Sequence, residues 1–204
     1  MSDLRTIACV VEGDGEEAAV PVLVRRIVAE LQPFPYVEVQ LARKVSRSAV
    51  VLPNGIEDAV KAIAREVGHG GAILVLLDAD DDCPALLGPA LLARAMRAAS
   101  HLPIAVVLAM REYEAWFLAA ATSLGNQRGL ESDLLPPSDT ERIRDAKGWL
   151  SKRMPAGKRY KETADQPALT ALFDMATARA MSDSFDKCYR AISGLVASLT
   201  DPER

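Results

Sequence analysis

Carboxylates collect where three apolar runs of this chain end. TIACVV leads into Glu12, with Glu16 and Glu17 just beyond; AILVLL leads into Asp78, Asp80, Asp81 and Asp82; IAVVLAM leads into Glu112 and Glu114. Such runs read as strands, and in an open α/β sheet ligands bind outside the carboxyl ends of the strands. Parallel neighbours would bring all three acidic ends to one crevice. Carboxylates at such close quarters repel one another unless a cation or shared protons offset the charge. An oxygen-only donor set selects a hard cation (magnesium, manganese or calcium) over zinc.

The acids differ in weight. Glu12 stands directly at a strand end, whereas Glu16 and Glu17 equally suit the first turn of a helix, where the dipole favours negative charge. Asp78 and Asp80 are two residues apart, so an extended backbone aims both to one side, and metal ligation is the favoured reading for the pair. Asp81 and Asp82 precede Pro84, and either suits a helix cap. Glu112 and Glu114 repeat the two-residue spacing, which can aim one of them into the crevice. Arg111 suits either a neighbouring carboxylate or a phosphate. Other chemistries lack their residues: VEGDGEE has no GK[ST] and is not a P-loop, His69 and His101 form no ligand pattern, and no Ser-His-Asp or Cys-His arrangement is present.

Elements able to position these acids alternate through the first 120 residues. Strands are expected at Arg5 to Val11, Tyr36 to Ala42, Gly71 to Leu77 and Ile104 to Met110, with Val37, Val39 and Leu41 on one face of the second. Helices are expected at Glu16 to Leu31, from a cap at Asn54 to Val67, at Pro84 to Ser100 with a break near Gly88 and Pro89, and at Tyr113 to Thr122. Trp116, Phe117 and Leu118 read as core. This alternation implies βαβ units and a parallel sheet. Ser123 to Asp139 reads as a loop. Helices come next at Thr140 to Arg153, Gln166 to Arg179 and Asp183 to Leu199, with a basic loop, Met154 to Ala164, between two of them. The expected organisation is an α/β domain over 1–122 and a helical extension over 123–204 packed on it.

Half of the 204 residues are hydrophobic, enough for a sizeable core, and no apolar run is long enough to span a bilayer. The opening MSDLRTIACVVEGDGEE lacks the pattern of a signal peptide, so the expected location is the cytoplasm. Cys9, Cys83 and Cys188 are odd in number and far apart, which argues against a disulfide framework or a zinc knuckle. Net charge is −4, yet from Arg142 to Lys161 eight basic side chains stand against Asp145 alone; Arg43, Lys44 and Arg47 form a second cluster. Acidic strand ends beside basic segments suit a substrate that carries phosphates. Solvated helix faces account equally well for either basic cluster alone.

A strand-end glutamate in EGxxE, followed by DxD at a later strand end, resembles the Toprim domain of topoisomerases, primases and overcoming-lysogenization-defect nucleases. More closely, VEGDGEEAAVPVLVRR, LLDADDD, REYEAWFLA, YKETADQPAL and SDSFDK together resemble the Toprim-like family named DUF4276, over nearly the whole chain. The resemblance implies a Toprim-like, Rossmann-like fold with a central, mostly parallel four-stranded sheet flanked by helices. It places Glu12 at the Toprim glutamate, Asp78 and Asp80 at the DxD ligands, and Glu16 at the second acid of the nuclease-like variants. Lys158, Arg159, Tyr160 and Lys161 fall in a family motif, and Ser182, Ser184 and Phe185 read as a helix cap and a core anchor. No tyrosine-nucleophile, zinc-ribbon or helicase module accompanies the match, so neither topoisomerase nor primase activity is expected.

The expected function is therefore a magnesium- or manganese-dependent nuclease. Glu12, Asp78 and Asp80 are the expected catalytic acids, and Glu12, Glu16, Asp78, Asp80 and Glu114 the expected metal ligands. Arg43, Lys44, Arg111, Lys158, Arg159 and Lys161 are expected to meet nucleic acid. Phage defence or DNA repair is the expected setting of that nuclease. The alternative that the resemblance implies is a non-catalytic binding or signalling partner of an ATPase; an aspartate-nucleophile phosphatase ranks third, because a glutamate on the first strand precedes the DxD.

Overall fold

The computed structural model describes residues 4–201; residues 1–3 and 202–204, which open and close the two expected segments, lie outside the described residues. The chain forms an α/β fold. In order it runs β1 (Thr6–Val11), α1 (Asp14–Leu31), β2 (Glu38–Val39), β3 (Arg43–Lys44), α2 (Arg47–Val51), α3 (Gly55–Val67), β4 (Gly71–Asp78), α4 (Pro84–Ala98), β5 (Ile104–Ala109), α5 (Ala115–Ala119), α6 (Ala146–Ser151), α7 (Glu162–Thr170), α8 (Met175–Met181) and α9 (Asp183–Thr200). Short 3-10 turns lie at Ala121–Leu124 and Thr140–Arg142.

Every strand pair is parallel, in the order β2-β1-β4-β5, with β3 also on β1. Every residue of β1 and β4 is buried, as continuous apolar runs in a sheet covered on both faces should be. Alternate side chains divide between two cores. Ile7, Cys9, Val11, Leu74 and Leu76 face α1 and the C-terminal helices. Ala8, Val10, Ile73, Val75 and Leu77 face α3 and α4. The first core also takes in Leu150, Leu169, Phe173, Phe185 and Leu195, so residues on both sides of position 122 share it. Among the described residues, no helix is long and apolar enough to cross a membrane.

Where the structure departs from expectation, the reason is local. The strand expected at 36–42 is split: Ile7 pairs with Val39, but Val10 pairs with Arg43, one residue more than a continuous register would give. An inserted residue swaps the faces of the residues after it, and Leu41 is 80% exposed instead of joining Val37 and Val39. The helix expected from Thr140 to Arg153 is interrupted because Asp145 caps α6, accepting the Gly148 N–H at 2.7 Å. The helix expected from Gln166 to Arg179 is two: α7 starts four residues earlier, and Asp174 caps α8 through the Thr177 N–H at 2.6 Å. α4 runs unbroken through Gly88 and Pro89. There a Cβ on residue 88 would lie 3.2 Å from Leu108 Cδ1, so that glycine serves close packing on β5 rather than a break. Ser182 caps α9, accepting the Phe185 N–H at 3.1 Å, and Phe185 is buried in the core.

Candidate metal centre

The register fixes the centre. Pairing of Val10 with Val75 sets the end of β1 beside the end of β4, and Asp78 is the last residue of β4, opposite Ala109. Asp78 continues the even-numbered face of β4 that carries Leu74 and Leu76 toward α1. Its Oδ1 accepts the Tyr113 N–H at 2.7 Å, and its own N–H donates to Glu12 Oε1 at 3.0 Å. Glu16, in the first turn of α1, folds back so that its Oε2 accepts the N–H groups of Glu12 and Gly13, both at 3.0 Å. That is the glutamate half of a capping box, so the same residue starts the helix and enters the site.

Glu12, Glu16 and Asp78 each offer an oxygen, and these oxygens lie within 4.8 Å of one another. Glu16 and Asp78 are buried and Glu12 is half-buried. Like charges about 4 Å apart repel by about 4 kcal/mol at an effective dielectric near 20. Protonation is one relief: burial first, then the charges of Glu16 and Asp80, push Glu12 from 4.5 up to about 7. Burial likewise raises Glu16, and burial with the charges of Glu16, Glu114 and Glu12 raises Asp78 well above the usual carboxylate range. A cation is the other relief. Glu12 Oε2 is buried without a hydrogen-bond partner, and an oxygen so placed is a ready ligand for a hard cation. The donors present fit magnesium or manganese.

The other two expected ligands, Asp80 and Glu114, fall outside that group of three. β4 ends at Asp78, and Asp80 turns into left-handed backbone at φ 50°, so the two aspartates do not point the same way along an extended strand. Asp80 is exposed at the mouth, 3.6 Å from Arg47, outside the three-carboxylate group but near enough to raise Glu12. Asp81 pairs with Arg111 and with Arg144, and Asp82 with Arg47. Glu114 is wholly buried; its Oε1 accepts Tyr160 Oη at 2.8 Å and Gln166 Nε2 at 3.1 Å, while its Oε2 has no partner. Burial pushes Glu114 up to about 7 against the pull of Lys147 and Tyr160. Glu112 instead pins the start of α6, its Oε2 accepting the N–H groups of Ala146 and Lys147 at 3.1 and 3.4 Å.

That pin delivers a residue the ligand reading missed. Burial would lower Lys147, but the carboxylates of Glu114, Glu162 and Asp78 hold it above its ordinary value, and it is ion-paired with Glu162. Lys147 is the resident countercharge of the acidic cleft. In the sequence it is one of many basic residues between Arg142 and Lys161, with nothing local to single it out. Of the residues expected to meet nucleic acid, Arg43 pairs with Glu66, Lys44 with Asp14, and Arg111 with Asp81. Lys158, Arg159 and Lys161 line an open cavity.

A comparison with protein families matches residues 11–192 to the family described as domain of unknown function (DUF4276). No curated protein and no solved structure matches the chain.

Proposed function

The chain belongs to the DUF4276 family, and from the geometry of its carboxylates we propose that it is a magnesium- or manganese-dependent phosphodiester hydrolase acting on nucleic acid. The observation that carries this reading is the buried group of Glu12, Glu16 and Asp78 at the carboxyl edge of a parallel sheet, with Glu12 Oε2 unsatisfied. These three residues would hold the cation. When bound, a magnesium or manganese ion supplies Lewis-acid stabilisation of the charge that builds on a phosphoryl oxygen.

The chain's own groups do the rest. The backbone N–H groups of Tyr113, Asp78, Glu12 and Gly13 each fix one oxygen of the three acids, which orients the remaining oxygens before any ligand arrives. Asp80, exposed beside Glu12, is the group assigned to accept the proton of the attacking water. Lys147 balances the acidic charge and Arg47, paired with Asp80 and Asp82, flanks the mouth where a phosphate would approach.

The test is cleavage of labelled single- and double-stranded DNA and RNA with magnesium, manganese or EDTA. Wild type should cut with either metal and not in EDTA, and Glu12→Gln and Asp78→Asn should fall to background while keeping the wild-type fold by circular dichroism. Equal cutting by the variants, or no cutting by wild type with either metal, would sink the reading. The non-catalytic alternative draws on a separate observation: Phe34, Tyr36 and Leu41, beside the edge strands β2 and β3, are 92%, 70% and 80% exposed. An apolar edge of this kind suits a protein partner such as an ATPase, and under that reading neither metal supports cleavage.

A further inference from the structure

We infer that the cavity between the loop around Arg128 and the loop from Met154 to Lys161 is a subsite for the phosphate backbone of a nucleic-acid strand, an inference that rests on the hydrolase reading above. The cavity measures about 490 Å³ and is lined by Arg128, Lys158, Arg159 and Lys161 with a single carboxylate, Asp165.

That carboxylate is already committed. Asp165 is buried; its Oδ1 accepts Arg128 Nε at 3.0 Å and its Oδ2 accepts the Lys161 N–H at 2.8 Å. The side chains of Lys158, Arg159 and Lys161 have no ion-pair partner among the described residues and are exposed. The contrast with the rim of the metal centre is chemical. Lys44, Arg47, Arg111 and Arg144 all spend their charge on acids of this chain, so an incoming phosphate there must displace a carboxylate. At the cavity it need displace only water and counterions. Three uncompensated cations spread along one loop match a chain of phosphates better than a single one.

The same loop reaches the buried groups whose charges act on Asp78. Tyr160 turns inward between Arg159 and Lys161, and its hydroxyl donates to Glu114 Oε1 at 2.8 Å. Glu162 pairs with Lys147, whose charge acts on Asp78. Side chains alternate between the cavity and these groups along Arg159 to Glu162, so a strand held by the outward residues lies beside the groups reached by the inward ones.

The experiment is fluorescence anisotropy of a labelled oligothymidylate in EDTA, with wild type, Lys158→Ala/Arg159→Ala and the charge-keeping Lys158→Arg/Arg159→Lys. Both positions are exposed, so the fold should survive substitution. The alanine pair should weaken binding about tenfold and lower the salt slope by about 0.7 for each phosphate no longer neutralised, and the charge-keeping pair should bind as wild type does. Unchanged affinity and slope in the alanine pair, or no binding by wild type at low salt, would overturn the subsite. The two readings fail separately. Cutting that persists alongside unaltered binding in the alanine pair removes the subsite and leaves the reaction. Binding through the cavity by a protein that never cuts removes the reaction and leaves the subsite.

Discussion

Glu12 gives one oxygen to the Asp78 N–H and keeps the other buried without a donor, while Glu16 and Asp78 crowd it from two sides. The consequence is a reversed pH dependence for the metal-free protein. Glu12 and Glu114 both rise to about 7 in the fold from an ordinary 4.5, so the folded chain binds their protons more tightly than the unfolded chain does. Their contribution is complete below about pH 4.5 and is lost as pH rises through about 7. Thermal melts in EDTA should therefore show a falling melting temperature from pH 5 to pH 8, by about 2–4 °C for each kcal/mol lost in a chain of this size. Magnesium binding requires deprotonated carboxylates, so its stabilising shift should grow across the same window. Glu12→Gln should reduce the metal-free slope to the part that Glu114 contributes and abolish the magnesium shift. A rising melting temperature in EDTA, or a magnesium shift retained in Glu12→Gln, would contradict this account.

Among the elements, α1 and α7 decide how the buried acids stand. A Cβ on residue 15 would collide with Gln166 Oε1 and lie 2.8 Å from the Glu162 carbonyl oxygen, and the backbone oxygen has little room to yield. The glycine lets the start of α1 touch α7, which in turn places Gln166 on Glu114 and Glu162 on Lys147. Gly15→Ala should cost about 1–3 kcal/mol by overpacking, measured by urea unfolding, and should weaken magnesium binding as well. A neutral effect on both would mean that the helices separate freely. A second junction joins β5 to α9: Ser184 Oγ accepts the Met110 N–H at 3.2 Å and Trp116 Nε1 at 2.9 Å. Ser184→Ala leaves two donors without this acceptor, at about 1–3 kcal/mol for each buried group left unsatisfied. Urea unfolding of that variant at wild-type stability would show that both donors find other partners.

Across the whole chain, the three grouped acids come from the first half, while the partners of Glu114 and the countercharge Lys147 come from the second. Leu150, Leu169, Phe173, Phe185 and Leu195 join Ile7, Leu23 and Leu74 in one core, and Tyr160, Gln166 and Lys147 hold or balance the acids. A chain ending at Thr122 should therefore expose that core, bind a hydrophobic dye and lose its cooperative melt. A folded, cooperative fragment would show that the α/β part stands alone.

Much of this was legible in the chain itself. Apolar runs of strand length ending in acids specified the parallel sheet and put Glu12 and Asp78 at its carboxyl edge, because strand burial and strand polarity are local properties written in composition. Ser182 and Phe185 were legible for the same reason, as a cap and an anchor within one helix start. Other features came only with the folded chain, because they depend on register, on backbone handedness and on the meeting of distant segments. Asp80 leaves the group because the chain turns left-handed just after β4 ends. Glu114 is turned to Tyr160 and Gln166, and Lys147 arrives across 69 residues from Asp78, held by a hydrogen bond to Glu112. Side-chain spacing fixes direction only while the backbone stays regular, and electrostatic partners are chosen by distance in space, which no stretch of sequence encodes alone.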